Sequence, residues 1–139
     1  MGYMAYRESI SFTTILNRQL DRIAEAASNI DLTSRANGRR SLLNYLMRVR
    51  ALYSLVKDLD IVQKYMVKWD NTLDDLVLIA INEKYPCEIR VFNPGKGVVK
   101  QTVKSPFELL KIVEEILGDI IYALYKSKLL ISIDVLPEE

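Results

Sequence analysis

The sequence predicts an α+β fold with about three N-terminal helices, a small, mainly antiparallel sheet of three to four strands, and a long C-terminal helix before the last strand. Apolar residues recur at helical spacing in the first part of the 139-residue chain. Alternating residues flank an Asn-Pro-Gly turn later in the chain, which is typical of a β-hairpin. No linker, repeat or low-complexity tract divides the sequence, so we expect a single domain over residues 1–139.

The first helix is predicted over residues 10–27, because apolar residues recur there at steps of three and four and therefore share one face. Turn-forming residues then interrupt the pattern, and the second helix can begin at Ser34 or near Gly38. Its apolar stripe continues to Val56. On a helical projection, three cations border one edge of this stripe: Arg39, Arg50 and Lys57.

Two further elements are predicted before the hairpin. Asp58 and Asp60 are good N-cap residues, and a stripe of shifted phase that ends at Trp69 predicts a short third helix. Residues 76–82 are dense in Val, Ile and Leu, which favours a central strand. A helix is the alternative for this stretch, because residues 72–75 could form its N-terminal cap.

The hairpin is predicted from residues 87–93 and 98–104, which flank the loop Asn-Pro-Gly-Lys-Gly. Alternation places Ile89 and Val91 on one face of the first strand. If helices cover that aliphatic face, the opposite face presents Arg90, Phe92, Lys100 and Lys104.

The last two elements follow directly. Ser-Pro-Phe-Glu at residues 105–108 is a capping box with Pro at the first helical position, and it predicts a long helix to about Lys126. Residues 131–135 alternate between apolar and polar side chains, which predicts a half-exposed final strand.

The composition argues against most ordinary enzymes. The chain has no histidine and one cysteine, Cys87, so it offers neither a Ser-His or Cys-His nucleophile nor an internal disulfide. We expect a protein without catalysis, cofactor or metal. An enzyme that uses carboxylates and a divalent ion is the open alternative, which no spacing supports. No apolar run approaches the roughly 20 residues that cross a bilayer and no signal-peptide core is present, so we expect a cytoplasmic protein without a membrane partner.

Positive charge is concentrated in residues 32–57. This stretch has six cations and no Asp or Glu, whereas the whole chain has a net charge of +1. Lys and Arg bind phosphates by releasing counterions, and an aromatic ring that stacks on a base adds roughly 1–3 kcal/mol. The predicted phosphate contacts are Arg39, Arg50, Lys57, Arg90, Lys100 and Lys104. The predicted stacking residue is Phe92, with Tyr53 and Trp69 as further candidates.

These residues also have structural explanations. Surface cations are mostly solvated, and aromatic residues at helical spacing mostly belong to the core. Phe92 is the aromatic residue for which base stacking is favoured most, because its neighbours at two-residue spacing include Arg90.

The chain resembles the archaeal single-stranded DNA-binding proteins called ThermoDBP and their related proteins. The resemblance covers the chain in outline and depends on the element order, on Arg90-Val91-Phe92, on residues 100–104 and on the helix from Arg39 to Lys57. It implies binding of single-stranded DNA or RNA in a cleft with little sequence preference, together with frequent self-association.

The sequence therefore predicts a non-catalytic, homo-oligomeric protein that binds single-stranded nucleic acid. The alternative is an assembly or adaptor subunit that acts through protein contacts, for which the aliphatic surfaces of the last helix and final strand are available.

Overall fold

The computed structural model describes residues 2–130 of the chain, and it describes side chains from residue 12 onward. The described residues form five helices and one two-stranded antiparallel sheet, which confirms the α+β class. The elements in chain order are α1 (Gly2–Ser28), α2 (Arg35–Val56), α3 (Asp60–Gln63), α4 (Asp70–Asn82), β1 (Cys87–Asn93), β2 (Gly97–Val103) and α5 (Pro106–Lys126). The prediction of three to four strands is not matched within residues 2–130. The strand predicted over residues 131–135 lies outside the described residues.

Helix α2 lies at the centre of the helical layer, where it contacts α1, α4 and α5. Ser34 is its N-cap, and its hydroxyl accepts a hydrogen bond from the Asn37 N–H at 3.4 Å, so the earlier of the two predicted starts is correct. Gly38 is buried against the preceding turn. A Cβ at this position would lie 3.0 Å from the carbonyl oxygen of Asp31, so this close approach favours glycine.

Residues 76–82 are helical, and the predicted strand is wrong. Leu73, Leu76 and Ala80 recur at helical spacing and are all buried, while Leu78 and Ile81 on the other side of the helix are exposed. The buried residues therefore lie on one side of a helix, whereas the predicted central strand would have been buried on both faces. A short apolar run does not distinguish a buried strand from a helix by composition alone.

Helix α3 is shorter than the predicted third helix. It comprises four residues, and Trp69 lies beyond it as the N-cap residue of α4. Two helices thus replace one predicted helix and one predicted strand in this part of the chain.

The hairpin is confirmed. β1 and β2 pair so that Arg90 lies opposite Lys100 and Phe92 lies opposite Val98. Ile89 is buried in the core, as the predicted alternation requires. Gly95 in the connecting loop and Gly97 at the start of β2 have positive φ, 90° and 79°, a conformation that disfavours other residues.

Helix α4 covers the outer edge of β1. The Thr72 hydroxyl donates a hydrogen bond to the carbonyl oxygen of Arg90, and the Arg90 N–H donates to Asp75 Oδ2 at 2.8 Å. Side chains of a helix therefore satisfy backbone groups that another strand would otherwise pair. This contact protects one edge of the sheet.

Helix α5 begins at the predicted cap. The Ser105 hydroxyl accepts from the Glu108 N–H at 3.2 Å, and the Glu108 carboxylate accepts from the Lys104 N–H at 2.9 Å. The helix buries nine side chains against α2, α3 and the sheet. Among residues 2–130, no helix is both long enough and apolar enough to cross a membrane.

Candidate nucleic-acid interface

The cationic edge of α2 faces acidic residues of α4 and Glu83, the C-cap residue of α4. Three ion pairs, which we call the ion-pair ladder, form along this seam: Arg39–Glu83 at 3.2 Å, Arg50–Asp74 at 2.9 Å and Lys57–Asp70 at 2.8 Å. Residue numbers rise along α2 as they fall along α4, so the two helices run antiparallel. Three of the six cations in residues 32–57 therefore have a close carboxylate, which the sequence alone did not indicate.

The cations of the ladder do not form one patch. Arg39 and Lys57 are 18 positions apart on a helix, which corresponds to about 27 Å at a rise of about 1.5 Å per residue. Lys57 lies beside the start of α4, whereas Arg39 lies beside its end. Only the Lys57 end of α2 lies near the start of α4, which the hairpin also approaches.

Tyr53 is a core residue and has no exposed ring face for a base. It is 3% exposed. Its hydroxyl donates to Asp70 Oδ2 at 2.8 Å and accepts from the Trp69 N–H at 2.9 Å. Burial, together with the nearby Asp70 carboxylate, raises the pKa of Tyr53 to about 12. The predicted stacking role for Tyr53 is therefore replaced by a structural role.

Trp69 is half-buried and its indole is held in place. Its Nε1–H donates to Asp119 Oδ2 at 2.7 Å, and the same oxygen accepts from the Val67 N–H at 3.1 Å. Asp119 thus fixes the segment between α3 and α4 to helix α5. The sequence offers one signal for this role, because Asp119 is the only charged residue among the otherwise mostly apolar residues 116–124.

Phe92 is exposed on the predicted face of the hairpin. Its exposed fraction is 37%, and its cross-strand neighbour Val98 is also exposed. The next cross-strand pair on the same face is Arg90 with Lys100, and both side chains are exposed. Lys104 follows the end of β2 and is exposed as well. These residues form what we call the hairpin face.

Asp75 holds Arg90 in position on this face. The Arg90 Nε and one terminal nitrogen donate to the two Asp75 oxygens at 3.0 and 2.8 Å. These hydrogen bonds hold the pKa of Asp75 below its ordinary value, although burial acts in the opposite direction. The carboxylate also offsets the repulsion between Arg90 and Lys100. The remaining N–H donors of the guanidinium are left for another acceptor.

A cleft adjoins the hairpin face. This hairpin cleft has a volume of about 190 Å³ and lies between β1 and the start of α4, with Lys68, Arg90 and Phe92 in its lining. A second cleft of about 530 Å³ is lined by Lys57, and the two clefts share Lys68 and Asp70. Lys57 and Phe92 therefore border adjoining concavities, whereas Arg39 and Arg50 border neither.

Lys68 was not among the predicted site residues. It is exposed, it lines both clefts, and within the described side chains it forms no ion pair. The sequence feature that could have indicated Lys68 is its position next to Trp69, which places a basic and an aromatic residue side by side between two helices.

Asp70 is the one carboxylate common to both clefts. Burial would raise its pKa, but the hydrogen bonds from Lys57 and Tyr53 outweigh that effect and the pKa lies below its ordinary value. Its negative charge is thus engaged by its neighbours. Among residues 12–130, no group of three or more His, Cys, Asp or Glu side chains could hold a metal ion.

Comparison of the chain with protein-family models, with curated proteins and with solved structures finds no match. The resemblance to the ThermoDBP proteins stays a prediction.

Proposed function

We propose that the protein binds single-stranded nucleic acid, without catalysing a reaction, through the hairpin face and the adjoining hairpin cleft. The observation that carries the proposal is the exposure of Phe92 on the same sheet face as Arg90 and Lys100. An aromatic platform beside cations is the combination that single-stranded nucleic acid requires.

Phe92 supplies the stacking surface and the surrounding cations contact phosphates. Every base has a π-face, so stacking on Phe92 contributes roughly 1–3 kcal/mol with little dependence on sequence. The cations within reach of this path line the two clefts or belong to the hairpin face: Lys57, Lys68, Arg90, Lys100 and Lys104. Arg39, Arg50, Tyr53 and Trp69 have structural roles in this proposal.

The apolar neighbour of Phe92 favours nucleobases over free phosphate. Val98 lies directly across from Phe92 and is exposed, so the two side chains form a small apolar step beside the cations. A nucleobase covers such a step with its ring, whereas inorganic phosphate would use only the cations. We therefore expect oligonucleotides to bind more tightly than free phosphate.

Fluorescence anisotropy with labelled oligo(dT) and oligo(U) tests the proposal. We expect binding at about 50 mM salt and much weaker binding at about 200 mM, because counterion release drives the phosphate contacts. Binding of duplex DNA should be weaker, since its bases are not free to stack on Phe92. If single strands do not bind even at low salt, the proposal is wrong.

A second candidate function, assembly through protein contacts, is favoured by exposed apolar side chains away from the hairpin. On α5, Tyr122 and Tyr125 are exposed, and Ile81 is exposed near the end of α4. Soluble proteins usually keep contiguous apolar surface small unless it has a partner. Size-exclusion chromatography with light scattering, with and without oligonucleotide, distinguishes an oligomer that ignores nucleic acid from a protein that binds it.

A further inference from the structure

A cavity of about 270 Å³ lies where α2 begins, α4 ends and α5 begins. Leu42 and Ala80 in its lining are buried core residues, and Tyr85 is half-buried. Phe107 also lines it and is 67% exposed, which makes it the most exposed large apolar side chain among residues 12–130. We call this cavity the Arg39 pocket, and it lies at the opposite end of α2 from Lys57.

Two arginines and one carboxylate lie at the Arg39 pocket. Glu83 Oε1 is 3.2 Å from the Arg39 Nε, and Glu83 Oε2 is 3.8 Å from the Arg35 Nε. The second distance is too long for a hydrogen bond, so the Arg35 guanidinium has no close acceptor here. The Arg35 side chain is 94% exposed. The pocket thus combines an apolar interior with a surplus of positive charge.

The pocket continues into a shallow depression on the other side of the same arginines. Arg35, Arg39 and Glu83 line both concavities, and the depression adds Ile81, which is exposed. Each concavity has an exposed apolar side chain in its lining, Phe107 in the pocket and Ile81 in the depression, and the two arginines are common to both. We call the two concavities together the groove. An extended peptide matches this shape better than a compact ligand.

We propose that this groove binds an extended acidic segment of a partner protein, with an aromatic or large aliphatic side chain in the Arg39 pocket and an adjacent Asp or Glu at Arg35 and Arg39. Guanidinium groups bind carboxylates through paired N–H donors, and Glu83 approaches Arg39 at Nε, which leaves the terminal nitrogens of Arg39 and the Arg35 guanidinium for a partner's carboxylate. Arg and aromatic residues in a partly buried pocket are typical of the residues that dominate protein interfaces.

The groove is separate from the proposed nucleic-acid interface. It shares no lining residue with the hairpin cleft. Failure of one proposal therefore leaves the other intact, and variants of each site serve as controls for the other.

Selection of a random heptapeptide library on the full chain, displayed on phage, tests this proposal. We expect the selected sequences to contain an aromatic or large aliphatic residue next to Asp or Glu. A labelled peptide of the selected sequence should bind about tenfold or more weakly to the Arg39→Ala and Phe107→Ala variants. Phe107 is largely exposed, so its replacement should leave the fold intact even if Arg39→Ala does not.

Arg40→Ala is the matched control. Arg40 is the next residue on α2, is exposed, and lines neither concavity of the groove, so its loss changes the net charge equally without altering the groove. Selected peptides without an acidic residue would overturn the proposal. Equal loss of binding in the Arg40 variant would also overturn it, and so would Arg39→Ala and Phe107→Ala variants that lose oligonucleotide affinity instead of peptide affinity.

Discussion

One hydroxyl group, that of Tyr53, connects the end of α2 to the start of α4. It donates to Asp70 and accepts from the Trp69 backbone, so a single buried oxygen satisfies both a carboxylate and an N–H. Lys57 completes the arrangement from one turn further along α2. The aromatic residue that the sequence placed among cations thus fixes the geometry next to the proposed interface.

Replacement of this hydroxyl should destabilise the protein. In Tyr53→Phe the Trp69 N–H loses its partner and Asp70 loses a donor, and an unsatisfied group of this kind costs about 1–3 kcal/mol. Urea denaturation followed by circular dichroism measures the change. Tyr122→Phe is the control, because Tyr122 is 50% exposed and makes no hydrogen bond through its hydroxyl among the described residues; equal losses in the two variants would contradict the prediction.

Phe92→Ala should weaken oligo(dT) binding by about tenfold, which lies within the stacking contribution of roughly 1–3 kcal/mol per base. The side chain is 37% exposed and lies outside the buried core, so urea denaturation should show the variant still folds. Phe107→Ala removes another exposed phenyl ring outside the interface and should leave oligo(dT) affinity unchanged. An unchanged affinity in Phe92→Ala would exclude the hairpin face as the stacking surface.

At the scale of elements, helix α4 determines the electrostatics of its neighbours. It supplies Asp70 and Asp74 to α2 and Asp75 to β1, and Glu83 follows at its end. One short helix therefore pairs cations on two different elements. It also replaces a further strand at the edge of β1, because Thr72 and Asp75 bind the backbone of Arg90.

The acidic residues of α4 should make stability depend on pH in the acidic range. The folded-state pKa values of Asp70 and Asp75 lie below the ordinary value. Such carboxylates contribute stability above an unfolded pKa of about 4, and the contribution is lost as pH falls through the lower folded-state pKa. The difference between the urea midpoints at about pH 7 and about pH 3 should therefore be smaller in an Asp70→Asn, Asp75→Asn double variant than in the wild-type protein. Glu115→Gln, at an exposed position without an ion pair, should keep the wild-type dependence.

The central ion pair of the ladder should contribute little and should be separable from binding. Exposed pairs of this type contribute about 0.2–1 kcal/mol. A double-mutant cycle with Arg50→Ala and Asp74→Ala should give a coupling energy in that range, measured by urea denaturation. Neither variant should change oligo(dT) affinity, and a marked loss in Arg50→Ala would return Arg50 to the interface.

Sequence reasoning succeeded where the determining interactions are local. The hairpin follows from its glycine-containing turn, and α5 follows from the capping box at Ser105. It failed for residues 76–82, because a short apolar run has no period that separates strand from helix. The ion-pair ladder is likewise not predictable from local patterns, because Asp70, Asp74 and Glu83 reach α2 only through the packing of α4 against it.

The proposed nucleic-acid interface was predictable in part. Alternation along β1 is enough to place Arg90 and Phe92 on one face. Lys68 could not be found in this way, because the segment between α3 and α4 has no regular period. Its position depends on the bonds of its neighbours to Asp119, which is far away in the sequence.

At the scale of the whole molecule, the net charge of +1 conceals cations that no carboxylate within residues 12–130 pairs. Lys68, Lys100 and Lys104 are exposed and lie outside every ion pair of the described side chains, whereas Lys57 and Arg90 are each paired. The protein is therefore nearly neutral overall, yet the proposed interface includes three cations that none of the described carboxylates pairs.

This distribution limits the salt dependence of binding. Contacts from the three unpaired lysines alone predict a slope of log affinity against log salt of about −2 for a single strand, and participation of Lys57 and Arg90 would raise its magnitude to about −3.5. Titration of the wild-type protein with oligo(dT) at several salt concentrations gives the value. Lys100→Ala should reduce the magnitude by about 0.7, and a slope near zero would mean that phosphates are not bound.

Trp69 is the only tryptophan of the chain, and its two sequence neighbours line both clefts. Its indole is tied to Asp119 in the folded protein. The intrinsic emission of this one residue should therefore shift when the segment loses its anchor and change in intensity when a ligand enters either cleft. Ligand binding and unfolding can thus both be followed in the unlabelled protein. A dye attached at position 69 would instead remove the hydrogen bond between Trp69 and Asp119.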